Sequence, residues 1–356
     1  MTRKERVQRA IQRKKDELDY LPHQIDLTWR MKRKVSEVTG VREEELPFSL
    51  GNHIFCIDTH QKVRKDEERG RDYDIFGVGW DIVRSEGYLP VEHPLDDWNK
   101  AESYHFPDPA SPVLYRDARN IERARREGMF VLGCQGWVLL ERAWLLRGFE
   151  NFMVDLVDNP QKIERLLDEI TEYQIEVSKH LVQLGVDGIY TGDDYGSQRG
   201  LLVAKKTWQT LMKPRLARIW KVAKDEGLPV FHHSCGNVME IIEDMIAIGL
   251  DVLLPVQPQA MDIVLLQERF GDRLSFMGGV STQKTLPFGT PEEVKEEVRN
   301  CVRVLGKRGG YIIAPSHEIT SDCPLENFRA FLEGISEVNQ SDIPLLARLT
   351  DPRNSW

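Results

Sequence analysis

Much of what would set this chain apart from ordinary globular proteins is absent. No segment approaches the roughly 20 consecutive apolar residues of a membrane-spanning helix, so no membrane partner is expected. There is no long basic stripe: 48 Lys and Arg stand against 57 Asp and Glu, a net charge of −9. That balance argues against nucleic acid or an anionic membrane surface as a partner. Cysteine is scarce, with five residues at 56, 134, 235, 301 and 323. An odd and scattered set does not make a disulfide framework, and a reduced, cytoplasmic setting is expected. The basic N-terminus (Arg3, Lys4, Arg6, Arg9, Arg13, Lys14, Lys15) is followed by acidic residues and by no apolar core. It therefore does not read as a secretory leader. Thr2 and Glu5 form a capping box in front of a solvated amphipathic helix.

What is present fits an α/β enzyme. Apolar residues make up 41% of 356, enough for a sizeable core in one α/β barrel, which runs about 250 residues plus insertions. Residues 1–110 read as an irregular N-terminal extension that holds the first barrel elements. Within it, Lys62–Arg71 reads as a solvated loop and Asp74–Trp80 as one or two short strands, before a Pro-punctuated passage. From about 113 a regular alternation begins. Strands are predicted at Met129–Cys134, Val186–Thr191, Leu228–His233, Val252–Val256, Leu274–Met277 and Tyr311–Ala314. Helices fall between and after them. Such βα alternation means parallel strands, and no glycine-rich dinucleotide loop follows the first. The expected fold is α/β, a (β/α)8 TIM barrel forming one domain over 1–356. The tail 341–356, with Pro344, Leu345, Leu346, Leu349 and Trp356, reads as a packing arm or as a subunit contact in a homodimer.

The motif of most chemical interest is His233-Ser-Cys235, at the end of the apolar run Leu228–Phe231. Residues i and i+2 of a strand share a face, so imidazole and thiol converge, and both are ligands zinc prefers. Taken alone, the motif is better explained as a satisfied core histidine beside an inert thiol. Gly236-Asn237 reads as a turn and a helix N-cap, with Glu240 as capping-box partner. Polar residues collect at the other strand ends: Thr191–Gln198, Pro255–Gln259, Gly278–Gln283 and Ala314–Glu318. In a barrel these tips meet at one mouth, where barrel active sites lie.

These tips carry a resemblance. Gly192-Asp-Asp-Tyr-Gly-Ser-Gln198, Phe231-His-His-Ser-Cys-Gly-Asn-Val238, Pro255-Val-Gln-Pro258, Met277-Gly-Gly-Val280 and Gly309–His317 with Pro324-Leu-Glu-Asn327 resemble the uroporphyrinogen decarboxylase superfamily. The likeness covers about 70–340 and is nearer the methyltransferase-type branch. The Arg-rich N-terminal motif of the decarboxylases is missing. Methylcobamide:coenzyme M methyltransferases carry H-x-C plus a late cysteine on zinc. Here Ala314-Pro315 and Pro324–Asn327 align so that His317, rather than Cys323, takes that third position.

The resemblance implies Zn(2+) on His233, Cys235 and His317, with a corrinoid (cobalamin) on a partner corrinoid-binding protein and a small methylated substrate. Asp194 and Asp193 are candidates for the chemistry. Consecutive strand residues point to opposite sides, so one of the two is expected to face the mouth. Asp194 is favoured because it begins the Asp-Tyr-Gly-Ser-Gln turn over the pocket, where a nearby metal would hold its carboxylate in the charged form. Tyr195, Gln198, Gln257 and Trp137 are candidates for substrate contacts, and Arg199 and Trp80 are further possibilities. A metal-free decarboxylase of a tetrapyrrole-like acid and a non-catalytic ligand-binding barrel are the competing readings.

Overall fold

The structure, a computed structural model, describes residues 1–84, 86 and 89–350. In chain order its strands are β1 (Ile54–Asp58), β2 (Lys62–Asp66), β3 (Arg71–Asp74), β4 (Gly79–Asp81), β5 (Leu89–Glu92), β6 (Phe130–Gln135), β7 (Gly188–Gly192), β8 (Val230–His233), β9 (Val252–Val256), β10 (Ser275–Val280) and β11 (Tyr311–Pro315). β1 and β6–β11 form one sheet in the order β1-β6-β7-β8-β9-β10-β11, with parallel neighbours throughout. β9 and β10 are buried at every position. Strands covered on both faces read as unbroken apolar runs, which is why the sequence announces them.

The eighth stave of the barrel is not a regular strand. His23 and Leu27 bridge in parallel to Ile313 and Ile319. On the other side His53 N–H donates to the His23 carbonyl at 3.1 Å, and the Asn52 amide grips both polar backbone groups of Ile25. The segment 23–27 therefore fills the seam between β11 and β1, with side chains replacing part of the ladder. The fold is a TIM-barrel-like α/β fold, as expected, with one stave held this way.

The N-terminal helix Arg3–Ile11 has the predicted capping box, but it is not merely solvated. Val7, Ala10 and Ile11 are buried and join Ile54, Phe130, Phe231, Val252 and Ile312 in the barrel's inner core. The helix packs on β1, β6 and β11, and its apolar stripe closes the barrel floor. A second apolar layer lies between the strands and the outer helices.

Two local expectations are corrected. Lys62–Arg71 is not a loop: β2 pairs antiparallel with β3 in a four-stranded sheet, β2-β3-β4-β5. An exposed edge strand tolerates charge, and the Arg64 guanidinium covers the Tyr73 ring at 3.5 Å. Asn237 does not cap a helix with Glu240 either. Its side chain accepts the Met239 amide at 3.1 Å, and the helix begins only at Ile242.

The described part of the tail is a packing arm. Ile343, Leu345 and Leu349 are buried, and Leu345 N–H donates to the Ser49 carbonyl at 2.8 Å. Trp356 and the rest of 351–356 lie outside the described residues. No helix among the described residues is long and apolar enough to cross a membrane.

Candidate metal and substrate site

β8 delivers His233 as its last residue, and Cys235 follows after Ser234. Ser234 points the other way, into the core, where its hydroxyl accepts the Tyr195 amide at 2.9 Å. His317 lies two residues beyond β11. One donor atom from each of His233, Cys235 and His317 falls within 4.8 Å of the other two. The Cys235 thiol is 3.3 Å from His233 Nε2, and the two imidazole planes stand 87° apart. Burial pushes His233 down to about 3 and lowers His317 as well, so both rings are neutral at pH 7 with a lone pair to offer. Burial, and then the charges of Asp194 and Glu141, raise the Cys235 thiol. A thiol and two neutral imidazoles converging on one point suit zinc, and a bound cation would counter the last of these shifts. Cys323 is elsewhere: its buried Sγ donates to the Leu286 carbonyl at 3.4 Å.

Three acidic residues tie the neighbouring loops together. The Asp193 carboxylate is fully buried and accepts the backbone amides of Leu140 and Glu141 at 2.8 and 2.7 Å. These amides open the helix Leu140–Arg147, so Asp193 sits at its positive end. The Glu141 side chain returns to the Asp194 amide at 2.9 Å. Asp194 Oδ1 in turn accepts the Cys235 amide at 2.7 Å and stands 3.6 Å from His233 Nε2. The ends of β6, β7 and β8 are thereby latched to one another. Burial raises Asp194, and this outweighs the amide of Cys235 that favours the charged form. The protein groups by themselves thus act against the charge expected for this carboxylate. Burial and the two aspartates raise Glu141 strongly.

The loops after β7 and β8 also meet backbone to backbone. A Cβ built on Gly196 would lie 2.7 Å from the Cys235 carbonyl oxygen and 2.8 Å from the Asn237 nitrogen. Gly196→Ala should therefore cost about 1–3 kcal/mol by overpacking, read as a lower urea midpoint. Because the strain falls on Cys235, the variant should also bind zinc more weakly than the parent. Unchanged stability and unchanged zinc affinity together would contradict this packing argument.

Two of the three donors, His233 and His317, open onto a cavity of about 840 Å³, within the size range of small-ligand sites. Trp137 and Asp194 line it, as do Cys56, Cys134, Tyr190, Glu141 and Asp58. Trp137 takes a left-handed backbone, φ 54°, and stacks on Trp80 with 4.8 Å between ring centroids. Trp80 lines the cavity too, whereas Tyr195, Gln257, Gln198 and Arg199 do not. Tyr195 is fully buried between His232 and Trp208. The Gln257 side chain is occupied in accepting the Gly236 amide. Gln198 and Arg199 are exposed on the loop after β7. Glu141 and Asp58 escaped sequence reasoning. Asp58 ends a strand in the irregular third, and Glu141 follows Val138-Leu-Leu140, where an acid resembles a solvated helix residue. The signal available for both was a carboxylate a few residues past an apolar run.

A parallel barrel carrying, at the carboxyl ends of its strands, three side chains that could hold a metal ion defines the class of protein. The chain belongs to the uroporphyrinogen decarboxylase (URO-D) family, whose model matches residues 73–338. It is 23% identical over 277 residues to the uroporphyrinogen decarboxylase of Psychromonas ingrahamii, across 75% of each chain. Over 189 residues it is 28% identical to the methylcobamide:CoM methyltransferase MtaA of Methanosarcina barkeri, covering 53% of this chain and 52% of that one. A methylated-thiol–coenzyme M methyltransferase of Methanosarcina mazei is 22% identical over 192 residues. The matched part spans only about half the length of these two methyltransferases. A solved methyltransferase structure from Methanosarcina mazei superposes with a TM-score of 0.68 at 21% identity, over 95% of this chain and 99% of that one.

Proposed function

We propose that the protein is a zinc-dependent methyltransferase that moves a methyl group between a small methylated substrate and a corrinoid (cobalamin) carried by a partner protein. The observation that carries this reading is the convergence of His233, Cys235 and His317, two of which line a small-ligand cavity. Zinc held there would supply Lewis acidity toward a substrate heteroatom or thiol. The chain's own groups bind and orient. Glu141 and Asp194 hold the loops that carry the donors, and Trp137 walls the cavity. The named methyltransferase relatives support the reading, which calls for a cytoplasmic, reducing setting to keep the thiol ligand and the cobalt reduced. The decarboxylase alternative must bind a polyanion, and the cavity is poorly built for one: eight carboxylate side chains line it against Lys32 and Arg119.

The test mixes the zinc-loaded chain with a cob(I)alamin-bearing partner and methylated amines, methoxylated aromatics or methyl thioethers in turn. Formation of methylcobalamin, seen in the corrinoid absorption spectrum, is the expected result. Failure with every class in both directions of transfer, with stoichiometric zinc bound, would remove this reading.

A further inference from the structure

The charge and aromatic character of the cavity carry a conclusion about what it takes. Asp26, Asp58, Asp117, Glu141 and Glu318 all line it, and among the described residues none of the five is in an ion pair. Acids elsewhere behave differently: Asp155, Asp244, Glu333 and Glu337 each hold a lysine or arginine within 4.0 Å. Among the described residues the Asp58 carboxylate meets only the amide of His60, at 2.8 Å, and no hydrogen-bond donor reaches the side chain of Glu318. Buried or half-buried carboxylates are ordinarily paired, because an isolated charge is costly to desolvate. Trp137, Trp144 and Tyr190 line the same cavity, with Trp80 stacked on Trp137. Aromatic faces beside carboxylates are the surroundings that recognise quaternary ammonium groups.

We propose that the cavity binds a cationic, N-methylated ammonium compound as its small substrate, in preference to a neutral ether or an anionic acid. This rests on the methyl-transfer reading for its consequence but not for its test. The balance suits the ligand. The C–N bond breaks with its electron pair on nitrogen, a neutral amine leaves, and the methyl group passes to the cobalt(I) of the partner's corrinoid. No proton is needed by the leaving group, in contrast to the alkoxide that an ether would release. Because the quaternary nitrogen has no lone pair, zinc would act on a further heteroatom of the substrate rather than on that nitrogen.

The experiment measures binding to the zinc-loaded full chain by tryptophan fluorescence, without any corrinoid. The probes are trimethylphenylammonium, its neutral isostere tert-butylbenzene, and the anion 3,4,5-trimethoxybenzoate. The expected result is that the ammonium binds at least about tenfold more tightly than either of the others, about 1.4 kcal/mol. Asp58→Asn and, separately, Glu318→Gln should each reduce that preference by several-fold, with circular dichroism and zinc content confirming an intact fold. Equal or tighter binding of the neutral or anionic probe overturns the proposal. So does no binding of any probe, or a preference that survives both substitutions. Methylcobalamin formation from another substrate class would retain methyl transfer while removing the ammonium ligand, so the two failures are distinguishable.

Discussion

Cys235→Ala is expected to abolish stoichiometric zinc binding while the barrel stays folded. The Cys235 thiol is one of three donors that lie within 4.8 Å of one another, and it sits on a loop after β8 rather than in either apolar layer. Changes to groups that only orient a ligand cost about 10–100-fold in metal affinity, so deleting a ligand should cost more. His317→Ala should behave in the same way, because no other histidine or cysteine among the described residues joins the cluster. Cys323→Ala should keep its zinc, since that thiol is committed to the Leu286 carbonyl. Metal content by elemental analysis, with a thermal melt as control, decides the matter. Full zinc in the Cys235 variant would show that the cluster is not a metal site, and loss of zinc in the Cys323 variant alone would move the third ligand.

The second large effect separates two adjacent aspartates. Asp194→Asn should lower turnover by roughly 100-fold or more, the scale of a positioned acid–base or metal-supporting group, with little change in stability. Its carboxylate borders the cavity, holds the Cys235 amide and stands beside His233. Asp193→Asn should act on the fold. Asp193 faces away from the cavity and takes two helix-opening amides in full burial. An amide in its place sets an NH2 against an N–H, leaving a buried donor unpaired at a cost of about 1–3 kcal/mol. Urea midpoints and turnover for the two variants give the answer together. The opposite assignment of effects would mean that the latch linking β6, β7 and β8 has been read with the wrong residue facing the substrate.

Several features were legible because they depend on near neighbours in the chain. Parallel strands covered on both faces must be continuously apolar, so the runs at Val252–Val256 and Tyr311–Ala314 stood out. His233 and Cys235 were visible as a pair because strand geometry alone puts i and i+2 on one side. Thr2 and Glu5 announced their helix for the same local reason. The positively charged stretch at Lys62–Arg71 misled because a strand on an exposed sheet edge needs no apolar face, so pattern cannot tell it from a loop. Tyr195, Gln198 and Gln257 were chosen for proximity to strand ends. Whether such a residue turns into the cavity, the core or the solvent is set by the loop's packing, which the sequence does not display.

The sequence by itself determined the alternation that makes a barrel, the polar tips at its strand ends and the pairing of one imidazole with one thiol. These follow from covalent spacing and from which residues avoid water. Only the tertiary structure decided that segment 23–27 closes the seam beside β1, that the N-terminal helix plugs the floor, and that His317 meets His233 and Cys235. It likewise decided that Glu141 and Asp58 face the cavity. Each of these joins residues tens to hundreds of positions apart, and such contacts depend on how the whole barrel closes, because closure fixes which strand ends become neighbours.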